Sequence, residues 1–257
     1  MIRKKLFLIF LAFFFCFSGM ETAFSELKPG EILRRSDEAR GNLDGVKWKL
    51  SIHSIEKERE QRRALDVKAK GYDFLAIMRS PAKVKGQMLL MVDHNMWFAK
   101  PGVKKPVPVS PRQKLLGGAA YGDIAATNYS GDYEATPLPD DVFEGELCYV
   151  FDLKAVTKKA TYNQIKYWIS KERLLGLKAE FFTVSGKMFK SATFQYQNTI
   201  KVNNRQQPFI SIMNIVDAVI STNITTMEFS EPLLTRVPDS TFNLNFLMMR
   251  CIVISSK

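Results

Sequence analysis

Cysteine and histidine are scarce in this 257-residue chain, which has three of the first and two of the second. Cys16 lies in an apolar leader, so Cys148 and Cys251 alone remain in the body of the chain. They form no CxxC pair, and His53 and His94 fall in separate segments, so no zinc-ligand spacing exists and no metal site is expected. Whether Cys148 and Cys251 pair is a matter of geometry that spacing does not settle. Gly117-Gly118-Ala119-Ala120-Tyr121-Gly122 has neither the GxGxxG order nor a P-loop lysine nor a βαβ setting, so a nucleotide cofactor is not expected. Asp93-His94-Asn95 sits between two apolar runs, where turn chemistry accounts for it better than a base and its orienter would. Beyond Phe17 no apolar run approaches the ~20 residues of a membrane span. There is also no internal repeat, low-complexity tract or Pro/Ser linker to divide the chain. No catalytic residue and no cofactor is expected, although carboxylates brought together across a sheet would be invisible at this level.

The first residues are distinctive. Arg3, Lys4 and Lys5 precede an unbroken apolar run from Leu6 to Phe17, and a polar stretch then ends in Ala23-Phe24-Ser25. Basic region, apolar core and small-x-small site make a secretory signal, with cleavage expected after Ser25. The run is too short to cross a ~30 Å hydrocarbon core as a helix. Phe13, Phe14 and Phe15 before Cys16 argue against lipidation there. The expected organisation is a signal peptide over 1–25 and a single domain over 26–257. The chain carries a formal charge of +11. Removing the signal takes away Arg3, Lys4, Lys5 and Glu21, which leaves about +9. These charges are dispersed and the chain is exported, so nucleic acid is not expected; anionic headgroups or an acidic partner suit the charge better.

From Glu26 on, one helix is expected over Lys28 to Arg40, with Ile32, Leu33, Ser36 and Ala39 on one face and Gly41 as its stop. The period then becomes two. Val46, Trp48, Leu50 and Ile52 alternate with polar residues, as do Tyr72, Phe74, Ala76 and Met78. Gln87–Val92 and Met96–Ala99 flank the Asp93 turn. Further alternating runs come at Ile165–Ile169, Leu177–Phe181 and Ala192–Tyr196, and strands are also expected over Phe209–Val219 and Ile224–Phe229. Short turns predict antiparallel neighbours, and a sheet of about ten strands must curl. Pro111–Asp132, rich in Gly and Ala, reads as one or two short helices broken by glycine, with Asp123 able to cap the segment after it.

Several stretches together resemble one family. They are Glu31 to Gly41 (EILRRSDEARG), Met91 to Trp97 (MVDHNMW), Lys105-Pro106-Val107 and Ser110 to Gly117 (SPRQKLLG). Gly122 to Ala125, Thr127 to Tyr129, Tyr162 and Ile165 to Trp168 continue the match in order across nearly the whole mature chain. The pattern resembles the LolA-like outer-membrane lipoprotein-sorting proteins. That resemblance implies a mainly β (α+β) fold, a single curved antiparallel sheet forming an unclosed β-barrel, with short helices as a lid over an apolar cavity. It also implies a periplasmic, non-enzymatic carrier that shelters acyl chains of lipoproteins or other lipids on the way to the outer membrane. A lipid-sensing or adaptor module serving an RND-type exporter is the alternative, and an envelope-lipid enzyme a more distant one. Expected partners are an acylated or lipid cargo, an inner-membrane exporter or outer-membrane acceptor, and peripheral membrane contact. Around an open sheet the expected lining is Trp48, Leu50, Phe74, Ala76, Leu90, Trp97, Phe181, Phe194 and Tyr196, with Leu115, Leu116 and Ile124 from the lid. An arginine before proline near the early strands holds the lid in the family; Arg79, one residue further from Pro81, is its nearest counterpart.

Overall fold

Pro29 opens the first helix where a missing N–H costs nothing, and Glu31 in the first turn accepts from Arg34 and Arg35 at 2.7 and 2.9 Å. This helix, α1 (Pro29–Glu38), buries Ile32, Leu33 and Ser36, the face its periodicity foretold, and Ala39 just past its end is buried too. The computed structural model describes residues 27–247 except 104, 126 and 246. The signal segment, Cys251 and the C-terminal extension therefore lie outside the described residues.

After α1 the chain forms a meander of β1 (Val46–Glu56), β2 (Arg59–Lys70), β3 (Asp73–Ser80), β4 (Met88–Val92), β5 (Asn95–Ala99) and β6 (Val107–Val109). A connecting segment carries a small hairpin, β7 (Lys114–Leu116) and β8 (Ala119–Ala120), then a 3₁₀ turn, Tyr121–Ile124, and helix α2 (Tyr129–Asp132). A second meander comes next: β9 (Tyr133–Phe143), β10 (Glu146–Ala155), β11 (Gln164–Ser170), β12 (Gly176–Phe182) and β13 (Met188–Gln195). A side hairpin of β14 (Asn198–Val202) and β15 (Arg205–Phe209) interrupts it before β16 (Ile212–Asp217) and β17 (Ile224–Leu234). Thirteen strands form one antiparallel sheet in the order β6-β5-β4-β3-β2-β1-β17-β16-β13-β12-β11-β10-β9. The two meanders are joined where β17 pairs with β1, Leu50 opposite Phe229. β6 and β9 remain free edges, so the barrel is open. Both edges carry proline, Pro108 in β6 and Pro137 and Pro139 in β9, where absent donors harm no ladder and discourage further pairing.

Four of the two-residue turns, Lys57-Glu58, Asp93-His94, Glu144-Gly145 and Asn203-Asn204, use left-handed backbone at both positions, as tight hairpins favour. Asp93-His94 is one of them, with φ of 49° and 62°, and so it is a turn between β4 and β5 as its composition indicated. Pro111–Asp132 holds two short helical elements, Tyr121–Ile124 and Tyr129–Asp132, as expected, but its first half is a hairpin. Gly117, at φ 56°, turns a hairpin rather than breaking a helix, and an added Cβ there would lie 2.0 Å from the Ser54 hydroxyl. Asp123 caps backwards, accepting from the Ala120 N–H at 2.8 Å. The expected strand Phe209–Val219 is two strands, because the Ile210 N–H leaves the sheet to donate to the Ala39 carbonyl.

The main core lies between the inner face of the sheet and the cover made by α1, the β7–β8 hairpin and α2. On β3, β4 and β5 the outer face is buried as well. There Leu75, Met88, Leu90 and Ala99 pack under Val237, Phe242 and Leu247 of the C-terminal segment. This explains the unbroken apolar run of β4, which has both faces covered.

Candidate functional site

At one end of the open barrel the chain leaves a cavity of about 490 Å³, within the range of small-molecule sites. One wall is the β7–β8 hairpin, from Lys114 and Gly117 to Ala120. The others are Thr161 to Asn163, Phe182 to Val184 with Phe189, and the ends of β1 and β16 at Glu56 and Asp217. A buried polar knot holds the hairpin in place. The Lys190 ammonium donates to the Gly118 carbonyl at 2.7 Å and to Asp123 at 3.0 Å. The Tyr162 hydroxyl donates to both carboxylate oxygens of Asp123 at 2.6 and 2.7 Å. Burial, reinforced by the Asp123 charge, holds the Tyr162 hydroxyl well above its ordinary range, so it remains a donor. Lys190 also lies over the rings of Tyr162 and Phe181, at 4.7 and 5.1 Å. The rim is polar: Lys114 pairs with Glu56 at 2.6 Å, and Arg112 donates to the Ala160 carbonyl and to Asn163, each at 2.8 Å. An apolar interior with a few fixed polar groups at its edge suits an amphiphile.

The residues expected from sequence do not line this cavity. Trp48, Leu50, Phe74, Ala76, Leu116, Ile124, Phe181 and Phe194 are buried in the main core, and Leu115 and Tyr196 pack against it. Phe181 packs behind the cavity wall, its ring 4.2 Å from that of Tyr162. Leu90 and Trp97 belong to the outer cluster beneath the C-terminal segment. They alternate with Leu89, Met91, Met96 and Phe98, which face the main core. Arg79 is half-exposed and pairs with Asp66 on β2 at 2.6 Å, away from the helices. The arginine beneath the cover is Arg40, buried 4.2 Å over the Phe194 ring and 5.3 Å from that of Tyr129. It lies within the Glu31–Gly41 stretch that carries the resemblance, but the sequence assigns it no role, since an arginine at a helix end ordinarily faces water.

Two hydrogen-bond clusters hold the cover down. Asp37 of α1 accepts from the Ser130 N–H at 2.9 Å and from its hydroxyl at 2.8 Å. Asp132 of α2 meets His94 Nε2 at 2.8 Å, at the tip of the β4–β5 turn. Cys148 is buried, with its partner question lying outside the described residues. Among the described residues no group of three or more His, Cys, Asp or Glu side chains is placed to hold a metal ion. Among them, too, no helix is long and apolar enough to cross a membrane.

An open antiparallel barrel, a cover of two helices and a hairpin, and an apolar cavity at one end define the fold. A family model described as "Uncharacterized protein" matches residues 71–249, well over half of the chain. The fold agrees with that of a LolA superfamily protein from Nitrosomonas europaea, with a TM-score of 0.77 and 27% identity over 86% of this chain and 100% of the other. A putative outer membrane lipoprotein-sorting protein domain from Vibrio parahaemolyticus gives 0.72 and 19%, over 85% and 97%. A DUF1329 family protein from Desulfovibrio piger gives 0.69 and 16%, over 85% and 97%. No curated protein matches the sequence. The chain belongs to the LolA-like family.

Proposed function

We propose that this protein is an exported, periplasmic carrier that binds the acyl chains of a lipid or lipoprotein, without catalysis, for transfer towards the outer membrane. The observation that carries the reading is the cavity of about 490 Å³, apolar within and polar at its rim, at the open end of a LolA-like barrel. Each methylene buried there contributes about 0.8 kcal/mol, so one acyl chain is held firmly yet can be handed on. Phe182, Val184 and Phe189 contact the chain first. The main-core residues expected as lining form the deeper wall, reached when the β7–β8 hairpin, which carries Leu115 and Leu116, lifts from the sheet. The +9 body and the export signal are consistent with work at the envelope, and the Vibrio relative is named for lipoprotein sorting.

Native mass spectrometry with lipid extraction, on protein purified from the periplasm, tests this. Bound lipid or acylated peptide is expected, and Phe189→Glu, which places a charge on the cavity wall, should abolish it. A clean unliganded mass together with no uptake of offered fatty acids, phospholipids or acylated peptides would defeat the reading.

A further inference from the structure

The cavity mouth is ringed by hairpin tips that carry apolar side chains into water. Val184 in the β12–β13 turn is 85% exposed, and Val219 in the β16–β17 turn is 74% exposed with Ile220 beside it. Ile55 and Ile224, opposite one another on β1 and β17, are exposed just behind these tips. The tips form one surface. Val184, Asp217 and Asn223 line the same cavity, and the Lys57 N–H at the β1–β2 turn donates to Asn223 Oδ1 at 3.0 Å. Asp217 Oδ1 accepts from the N–H groups of Val219 and Ile220, each at 2.8 Å, so the turn is built and its apolar side chains are held outward.

Cations stand between the tips. Arg112, Lys154 and Lys158 share a groove with Val184; Lys57, Arg59 and Lys114 share another with Asn223; and Lys187 is exposed in the β12–β13 turn itself. Of the carboxylates at this end, Glu56 is paired with Lys114, Glu60 opposite Ile55 is paired with Arg62 and His53, and Asp217 is engaged in its turn, while Glu58 is exposed. Single apolar side chains on separate tips with cations between them are unlike a protein interface, which has a continuous apolar core and a polar rim. They fit a bilayer surface, where apolar groups enter the headgroup boundary and cations meet lipid phosphates.

We infer that this end of the barrel docks on an anionic membrane, with Val184 and Val219 entering the headgroup layer and the cavity opening against the bilayer. The purpose of the docking rests on the carrier reading, but the docking itself is tested without any cargo. The purified protein is floated with vesicles of phosphatidylglycerol and, separately, of phosphatidylcholine. It should rise with the first, stay behind with the second, and be released by high salt. Val184→Asp with Val219→Asp should weaken vesicle binding at least about tenfold. Lys158→Gln and Lys187→Gln should each weaken it about fivefold. All four positions are exposed, so thermal midpoints should not move. Equal binding to both vesicles, binding to neither, or indifference to the valine changes would overturn the inference, as would loss of a soluble protein partner through the same changes without any vesicle binding. Acyl-chain binding, read separately by native mass spectrometry, should survive Val219→Asp alone, which lies outside the cavity lining. If vesicles bind and no acyl chain does, the carrier reading fails and the docking surface stands.

Discussion

Lys190 and Asp123 form the most deeply buried ion pair among the described residues, with 5% and 4% of their side chains exposed. Burying both charges is costly, and the pair is sustained only because each has further partners, Gly118 for the ammonium and Tyr162 and Ala120 for the carboxylate. Removing one partner leaves the other charged in a low-dielectric setting. Lys190→Met should therefore destabilise the fold by about 3 kcal/mol, at the lower end for a broken buried pair because Tyr162 still donates to Asp123. The urea unfolding midpoint reports it, and a midpoint shift under a third of that size would mean the pair is largely solvated. Arg40 teaches a different lesson. Its cation lies over the Phe194 ring in the main core, so the polar contents of the interior are set by aromatic faces as much as by carboxylates.

At the scale of elements, the two helices of the cover are tied together by a buried carboxylate, Asp37. Burial pushes the Asp37 carboxyl from 3.8 up to about 6, even though Ser130 donates two hydrogen bonds that favour its charge. A carboxylate with a raised folded-state pKa binds a proton more tightly in the native state than in the unfolded one. Its contribution to stability is therefore complete below pH 4 and is lost as the pH rises through about 6, a change of up to about 3 kcal/mol. Asp37→Asn removes this dependence while keeping an acceptor for Ser130. The variant should gain thermal midpoint relative to the parent as the pH is raised from 4 to 7. A difference between the two that does not vary with pH would show that Asp37 stays ionised when folded. The same contact joins α1 to α2, so its protonation state bears on how readily the cover over the barrel moves.

For the whole molecule, topology sets the pace of folding. The pairing of β1 with β17 brings Val46 opposite Leu234, and until it forms the two meanders share no ladder. Closing so long a loop costs entropy before any contact rewards it. Refolding should take milliseconds or longer, followed by stopped-flow fluorescence of Trp48, Trp97 and Trp168, all of them on strands of the sheet. A complete return of signal within microseconds would contradict a fold that depends on this long-range pairing. The open edges at β6 and β9, each with proline, let so wide a sheet stay unclosed without recruiting another chain.

Sequence alone determined a good deal here. Alternation in Val46 to Ile52 and Phe74 to Met78 marked strands and their inner faces, because a half-buried strand must put every second side chain in the core. The α1 face and the Asp93-His94 turn were legible for the same local reasons. β2 and β9 were not: charges on β2 and prolines on β9 hide strands whose ladders lie with their neighbours. Tertiary structure decided the rest. Leu90 and Trp97 carry no mark of which face they occupy, since a strand covered on both sides reads the same in either register. The cavity is likewise a property of the assembled end. Its walls come from turns and the ends of strands far apart in the chain, and whether space is left among them depends on how the hairpin, the sheet and Lys190 meet. Local patterns specify which side chains leave water, but only packing determines where that leaves room.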